Sequence, residues 1–459
     1  MQNKSYHGRN FYSIMLSLAV PIALQQLITI SLNTIDTIMI GSLGEAAIAA
    51  VGICNRVFFF FVLITFGIYS GMSIFTAQYW GNNDVLNIKK MMGMQLFLGV
   101  CVSLVFILII SCFPGQIMSW FIKDSAVIAL GKSYFRIVVL SYIFMACSFS
   151  VSFAFRSLGI VKVPLFINIL SVLVNAFLNW VFIFGHLGFE PMGVAGAAAA
   201  TLIARIAEFF MYYWYLFKYN NKPMTFKIGD LFLWKFKMMK DKLKIAFPVV
   251  VNETLWSLGM TVIYIAYGKL GADSVAAVQI SYSVNGIFEA FFFGIGNACS
   301  VMLGNEIGRG NFGLAKKYSN KFIFIMVLMG AILGLCLIML RNPIISIFNI
   351  EAQTIKLLNY NLVVLGLAMP FSMCSYLFAI GILRSGGDTK FCMYLEMASI
   401  WLYVVPVAFI ASLAFNLPTY VIIALINVEH IIKLALLIPR YKSGKWINNL
   451  VKSDKLTCE

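Results

Sequence analysis

The chain has 459 residues, 61% of them hydrophobic and only 11% charged, against roughly 25% charged in an ordinary soluble domain. So little charge cannot cover the surface of a water-soluble protein of this length, which excludes a string of soluble domains and leaves an exterior that faces lipid. The formal net charge of +16 raises the question of a nucleic-acid partner, and the positions of the charges answer it against one.

A membrane-spanning helix needs about 20 mostly apolar residues. Taken in chain order, twelve runs meet that length, near 13–39, 47–76, 91–113, 133–155, 163–185, 193–217, 243–268, 275–303, 321–340, 357–383, 391–415 and 417–439. They are continuous rather than alternating, so an all-α polytopic membrane protein is expected and a β-barrel is not. The first run starts at Phe11, has the length of a full span and lacks a small-residue cleavage site, so it is read as a span and not a signal peptide. The nine cysteines are scattered without a CxxC pair, so Cys54, Cys101 and Cys147 read as small buried hydrophobes.

With the N-terminus in the cytoplasm and twelve alternating helices, Lys89, Lys90, Arg156, Lys162, Arg309, Lys316, Lys317, Lys321, Arg384 and Lys390 share the cytoplasmic side. The Lys-rich segment from Lys218 to Lys244 and the tail from Arg440 to Lys455 join them. Only Lys123, Lys132, Arg136, Lys269, Arg341 and Lys356 fall opposite. This positive-inside bias places both termini in the cytoplasm and the protein in the cell membrane. Segment 218–242 then reads as a solvated basic linker facing lipid headgroups, and 441–459 as a cytoplasmic tail.

The two halves repeat each other. Aligning residue n with n+227 keeps register from Ala19 to Gly81: Pro21 meets Pro248, Gly41 meets Gly268, Gly44 meets Gly271 and Gly81 meets Gly308. A one-residue shift then brings Arg156 onto Arg384, Gly159 onto Gly387 and Lys162 onto Lys390. Apolar helices align by chance on Leu and Ile, but not on Pro, Gly and Arg through two helices and their loops. Six helices per half give both halves one orientation. The expected architecture is therefore two six-helix lobes, 1–217 and 243–440, related by a pseudo-twofold axis along the membrane normal. Transporter folds carry such repeats, with the substrate site at their interface.

Polar residues inside the spans are costly and each is a functional candidate. The first helix carries Gln25, Thr29, Asn33 and Asp36 on one face, and the fifth carries Asn168, Asn175 and Asn179 on another. Asp36 with Asn175 and Asn179 forms a candidate site for a proton or for Na⁺: a carboxyl shielded from water can carry a proton near neutral pH, and amide oxygens are neutral hard ligands. The same groups could instead bond one another to lock helix packing. In the second half Asn252 and Glu253 align with Gln25 and Gln26, while Asp36 aligns with Ile263. Glu253, Ser257, Met260 and Tyr264 share a face that mixes acid, sulfur and aromatic groups suited to an amphipathic cation, although the Met and aromatic positions also suit plain packing. Glu289 in the eighth helix is a further candidate of this type. Glu208, Glu396 and Glu429 are placed to pair with Arg205 or Lys433. No GxxxxGK[ST], HExxH or GxSxG is present and only three histidines occur, so ATP hydrolysis and enzymatic catalysis are not expected.

The stretch PIALQQLITISLNTIDTIMIGSLG from Pro21, NAFLNWVFIFGHLGFEPMGVAGAAAAT from Asn175, RSGGDTK from Arg384 and FPVVVNETLWSLG from Phe247 together resemble the multidrug and toxic compound extrusion family, over essentially the whole chain. The resemblance implies a V-shaped pair of lobes and export of drugs in exchange for Na⁺ or H⁺, with no cofactor. It implies that Asp36 matches the first-helix aspartate of a first-lobe cation site and that Asn175 and Asn179 match its fifth-helix polar pair. Some members carry Asp where this chain has Asn179, which leaves the ion identity open. Glu253 sits earlier than the seventh-helix acid of sodium-coupled members, and the tenth helix has no carboxylate. The expected function is secondary antiport of amphipathic, often cationic drugs, with the lipid bilayer as surroundings and a self-sufficient monomer. The alternative is a lipid-linked precursor flippase of the same superfamily, which would want a cationic cavity; Arg56 and Arg205 are the first half's intramembrane basic residues.

Overall fold

The computed structural model describes residues 10–218, 226–348 and 350–452, which are helical without a strand. The helices are α1 (Phe11–Gly41), α2 (Glu45–Gly81), α3 (Val85–Cys112), a bent α4 with limbs Ser125–Val138 and Ser141–Ser157, α5 (Lys162–Phe184) and α6 (Gly193–Lys218). After the linker come α7 (Phe236–Gly268), α8 (Ala272–Gly308), α9 (Phe312–Ile345), α10 (Ala352–Gly386), α11 (Thr389–Ala414) and α12 (Thr419–Lys442). Eleven of these are long and apolar enough to cross a bilayer by themselves, and α4, bent by 49° between its limbs, brings the number to twelve. Large apolar side chains such as Leu108, Phe324 and Leu402 stand two-thirds exposed or more, as expected where the surroundings are hydrocarbon.

The repeat seen in the sequence returns in the backbone. Gly44 and Gly271 take φ 101° and 99°, Asn83 and Gly310 take 56° and 82°, and Gly159 and Gly387 take 77° and 81°. Each pair closes the same inter-helix turn in its own half, in the left-handed region that glycine enters without penalty.

Packing divides the described residues into two compact units. One comprises Leu24–Thr76 and Asp84–Val250; the other comprises 10–23, Ala77–Asn83 and 251–452. The units cut the chain differently from the sequence repeat, because α1, α2 and α7, with 31, 37 and 33 residues, each contribute to both. In the first unit Phe61 stacks on Tyr142 at 4.7 Å between ring centroids, amid Phe135, Met118 and Ile110. In the second, the Cβ of any residue replacing Gly81 would run into the Asn305 carbonyl, and one replacing Gly308 into the Gln78 carbonyl. Positions 78 and 305 are themselves repeat equivalents, so this close approach is symmetric.

Part of the linker expected to be solvated is packed, and so is the segment after α12. Residues 219–225 of the linker lie outside the described residues, but Ile228–Phe232 forms a 3₁₀ turn against α3. Leu231 is buried there, the Lys89 ammonium pairs with Asp230 at 2.7 Å, and Trp234 lies 4.9 Å from Phe97. The segment after α12 is likewise folded onto the second unit. Trp446 and Val451 are each 1% exposed, Asn448 Nδ2 donates to the Gly386 carbonyl at 3.0 Å, and the Leu450 amide donates to Gln78 Oε1 at 2.8 Å. Residues 453–459 lie outside the described residues.

Candidate functional site

The fourfold spacing of Asn175 and Asn179 puts both amides on one face of α5, and that face is buried: the two residues are 4% and 1% exposed. α1 brings Asp36 to it. Asn179 Nδ2 donates to Asp36 Oδ1 at 2.6 Å and to Asn175 Oδ1 at 3.2 Å, and Asn175 Nδ2 donates to the Thr201 hydroxyl of α6 at 3.4 Å. The Thr201 hydroxyl donates in turn to the Ala197 carbonyl at 3.0 Å. The result is a hydrogen-bonded chain from α1 through α5 to α6. One buried acceptor in it, Asn179 Oδ1, has no partner. An unpartnered buried oxygen beside a carboxylate costs free energy that an incoming cation or proton donor recovers.

Three neighbours complete the surroundings. Tyr134 of α4 is 6% exposed beside Thr201 and Asp36. The Arg205 guanidinium of α6 is near enough to act on Asp36, and it pairs with Glu208 at 2.6 Å. Asp36, Arg205 and Glu208 together sum formally to a single negative charge, counting one cation against two carboxylates. Thr201, Arg205 and Glu208, spaced four and three residues apart, share a helical face, so their convergence was legible; Tyr134 sits on a limb whose bend hides its direction. Among the described residues no cluster of three or more His, Cys, Asp or Glu could hold a metal ion. The oxygen set at Asp36 mixes one carboxylate with amides and a hydroxyl, a composition that suits a proton or an alkali cation rather than a transition metal.

The remaining candidates lie elsewhere. Gln25 accepts a 2.6 Å bond from Arg156 Nη2, and Thr29 donates to the Gln25 carbonyl at 2.9 Å, so neither joins the Asp36 chain. The Asn33 side chain lies outside the described residues. Asn168 leaves its Oδ1 buried without a partner, two turns before Asn175. Glu253 is held by Arg384 Nη1 at 2.9 Å, with the two side chains 12% and 4% exposed. Arg156 and Arg384 are repeat equivalents, and each binds a side chain of its half's first helix, Gln25 in one and Glu253, one register position further on, in the other, which gives Glu253 a packing partner and sets it apart from the Asp36 group. Met260 and Tyr264 are half-buried on α7, with Tyr264 6.3 Å from Tyr282 between ring centroids. Glu289 accepts from Asn285 Nδ2 at 2.8 Å. As the spacing suggested, Glu208 pairs with Arg205 and both Glu396 and Glu429 pair with Lys433.

The sequence profile of the MatE family matches residues 21–181 and 248–410, once in each half. Similar proteins include the probable multidrug resistance protein YoeA of Bacillus subtilis, 28% identical over 376 residues that cover 81% of this chain and 80% of the relative. The probable multidrug resistance protein NorM of Thermotoga maritima is 24% identical over 439 residues, 94% of this chain and 92% of the relative. Among solved structures, a MOP superfamily transporter from Pyrococcus furiosus is similar with a TM-score of 0.85 and 17% identity over 95% of this chain and 97% of that one. A Vibrio cholerae MATE transporter is similar with a TM-score of 0.86 and 15% identity over 95% and 98%. At these identities the solved structures establish the fold.

Proposed function

We propose that this chain, which belongs to the MatE family, is a membrane transporter that exports amphipathic organic cations in exchange for H⁺ or Na⁺ taken up at Asp36. Relatives named as probable multidrug resistance proteins support a drug as the cargo. The carboxylates buried in the spans support a cationic one. Membership of a transporter family and the lack of any catalytic motif support movement of the solute without conversion.

The observation that carries the coupling site is the chain from Asp36 through Asn179 and Asn175 to Thr201, with the Asn179 carbonyl left over. Asn179 occupies Asp36 as a donor. A proton arriving on Asp36 turns an acceptor-only carboxylate into a carboxyl with one donor and weakens the charge-assisted bond from Asn179. An arriving Na⁺ competes with the same donor for the carboxylate oxygens and finds the unpartnered Asn179 Oδ1 beside them. Either ion therefore alters the bond that ties α1 to α5. An ion that binds the two arrangements with different affinity shifts their populations, which is the requirement for alternating access. The positive-inside bias supports both termini in the cytoplasm.

A lipid-linked pyrophosphate fits less well. Arg205 is already neutralised by Glu208, which leaves it little charge to offer a pyrophosphate. Cells expressing the wild-type chain should keep ethidium out, and Asp36→Asn at equal expression should abolish that exclusion. Full exclusion by the Asn variant would sink the assignment.

A further inference from the structure

The linker, expected in water from its charges, runs instead along one face of α3. Its contacts fall on α3 residues four apart. The Lys89 ammonium holds Asp230 at 2.7 Å, the Leu231 carbonyl lies where a Cβ on Gly93 would stand, and the Trp234 ring lies 4.9 Å from that of Phe97 between centroids. Positions 89, 93 and 97 make one helical stripe. The Trp234 indole donates to the Leu231 carbonyl at 3.0 Å, and Phe226 is buried with the Lys89 ammonium 5.6 Å over its ring. Eight residues of helix, from Lys89 to Phe97, cover about 12 Å. The apolar run of α3 begins at Met91, so Trp234 stands level with residues inside that run, at a depth where lipid and not water is the surroundings.

Other side chains of the same stretch are bare. Ile228, Phe232, Leu233 and Phe236 are 67%, 73%, 45% and 70% exposed, and a run of large apolar groups held open in this way marks a surface that something apolar covers. Lys227, Lys235, Lys237 and Lys240 stand exposed beside them. From Lys227 to Lys244 the chain has two acids, Asp230 and Asp241, and each is matched by a lysine, Lys89 at 2.7 Å and Lys244 at 2.8 Å. The four exposed lysines therefore add to a local positive charge that the segment's own acids do not cancel. Bare phenylalanine and isoleucine interleaved with lysine is the composition of a segment lying in the headgroup boundary, with apolar groups among the acyl chains and ammonium groups at the level of the phosphates.

We propose that segment 226–240 is an interfacial foot that binds anionic phospholipids of the leaflet on its side of the membrane. Ile228, Phe232, Leu233 and Phe236 are immersed in that leaflet, and Lys227, Lys235, Lys237 and Lys240 select its acidic headgroups. The contacts along α3 act as the post that fixes the depth of the foot, so its apolar groups meet lipid without a separate folding step. The charge supplies the selectivity: a zwitterionic headgroup offers these lysines no net attraction, whereas each lysine near an anionic surface contributes about fivefold to association. The foot does not depend on what the protein exports or on which ion drives it.

The test uses the full-length protein in proteoliposomes that mix phosphatidylcholine with phosphatidylglycerol, with one or the other lipid carrying dibrominated acyl chains. Phe232→Trp adds an indole at an exposed position, and the difference between its emission and that of the wild type separates position 232 from the eight native tryptophans. The added emission should be quenched by brominated lipid, with a preference for phosphatidylglycerol of about fivefold or more, and should be shielded from aqueous acrylamide. Changing Lys227, Lys235, Lys237 and Lys240 to Gln in the Phe232→Trp background should bring the preference close to one while quenching by brominated lipid persists, because the apolar groups stay immersed. Raised salt should lower the preference in the same direction. If the fourfold variant does not fold, Lys235→Gln/Lys237→Gln decides, with a severalfold fall in preference. An added indole reached by acrylamide and not by brominated lipid would mean a linker in water, open to a protein partner, and overturns the proposal. Quenching without headgroup preference, or a preference that survives loss of the lysines, overturns it as well.

Discussion

Glu253→Gln separates a structural acid from a coupling acid. The pair with Arg384 spans 2.9 Å, with side chains 12% and 4% exposed, so solvent screens it little. Removing one partner of a buried ion pair costs about 3–5 kcal/mol, because the other charge is left uncompensated. Arg384 has further partners, which sets the expectation at the lower end, about 3 kcal/mol, or roughly two powers of ten in the folded-to-unfolded ratio. The repeat supplies the control: Arg156 at the equivalent position is satisfied by the neutral oxygen of Gln25 at 2.6 Å. Replacing both charges together, Glu253→Met/Arg384→Met, should therefore recover most of the loss, since apolar groups of similar size often replace buried pairs without penalty. The assay is thermal unfolding of the detergent-solubilised protein followed by size exclusion, alongside ethidium efflux. The single variant should melt several degrees lower, and the double variant should regain stability and transport. A single variant as stable as the wild type, or a stable double variant that no longer transports, would refute the structural role given to Glu253.

Gly308→Ala places a methyl group against the Gln78 carbonyl; overpacking of this kind costs about 1–3 kcal/mol, and lower yield of monodisperse protein checks it, with Gly81→Ala behaving alike. Trp446→Ala removes a side chain that is 1% exposed and should cost about 3–5 kcal/mol by the large-to-small rule, read as a drop in melting temperature; an unchanged melting curve would mean the segment after α12 contributes nothing to stability. Asn179→Ala leaves the Asp36 carboxylate without its 2.6 Å donor, a bond that stabilises the ion-free site, so the H⁺ concentration for half-maximal exchange should fall about tenfold or more, as expected for a lost hydrogen bond to a charged group, while the KM for drug changes far less.

Hydropathy located every span because lipid and apolar side chains select each other, but it fixed their ends less well. The run at 275–303 continues as helix to Gly308 through Asn305 and Glu306, since a helix persists where its backbone bonds continue, whether or not lipid surrounds it. The run at 133–155 begins as helix at Ser125, with the break between Val138 and Ser141 carrying the bend. The turn geometry of Gly44 and Gly271 was written in the repeat. The docking of Leu231 and Trp446 was not, because a lone large apolar residue in a basic segment finds its pocket only in three dimensions. At the site, helical spacing brought Asn175 and Asn179 together and pointed Asp36 toward them. For Gln25 periodicity gives a face, and the partner on that face, Arg156, comes from another helix.

The most direct test is transport by purified wild-type and Asp36→Asn protein in proteoliposomes, with a pH gradient and a Na⁺ gradient imposed separately. The account predicts ethidium movement driven by one of the two gradients in the wild type and by neither in the Asn variant, with dye binding preserved. Equal gradient-driven transport by both proteins would contradict the claim that Asp36 is where ion and drug movement are coupled.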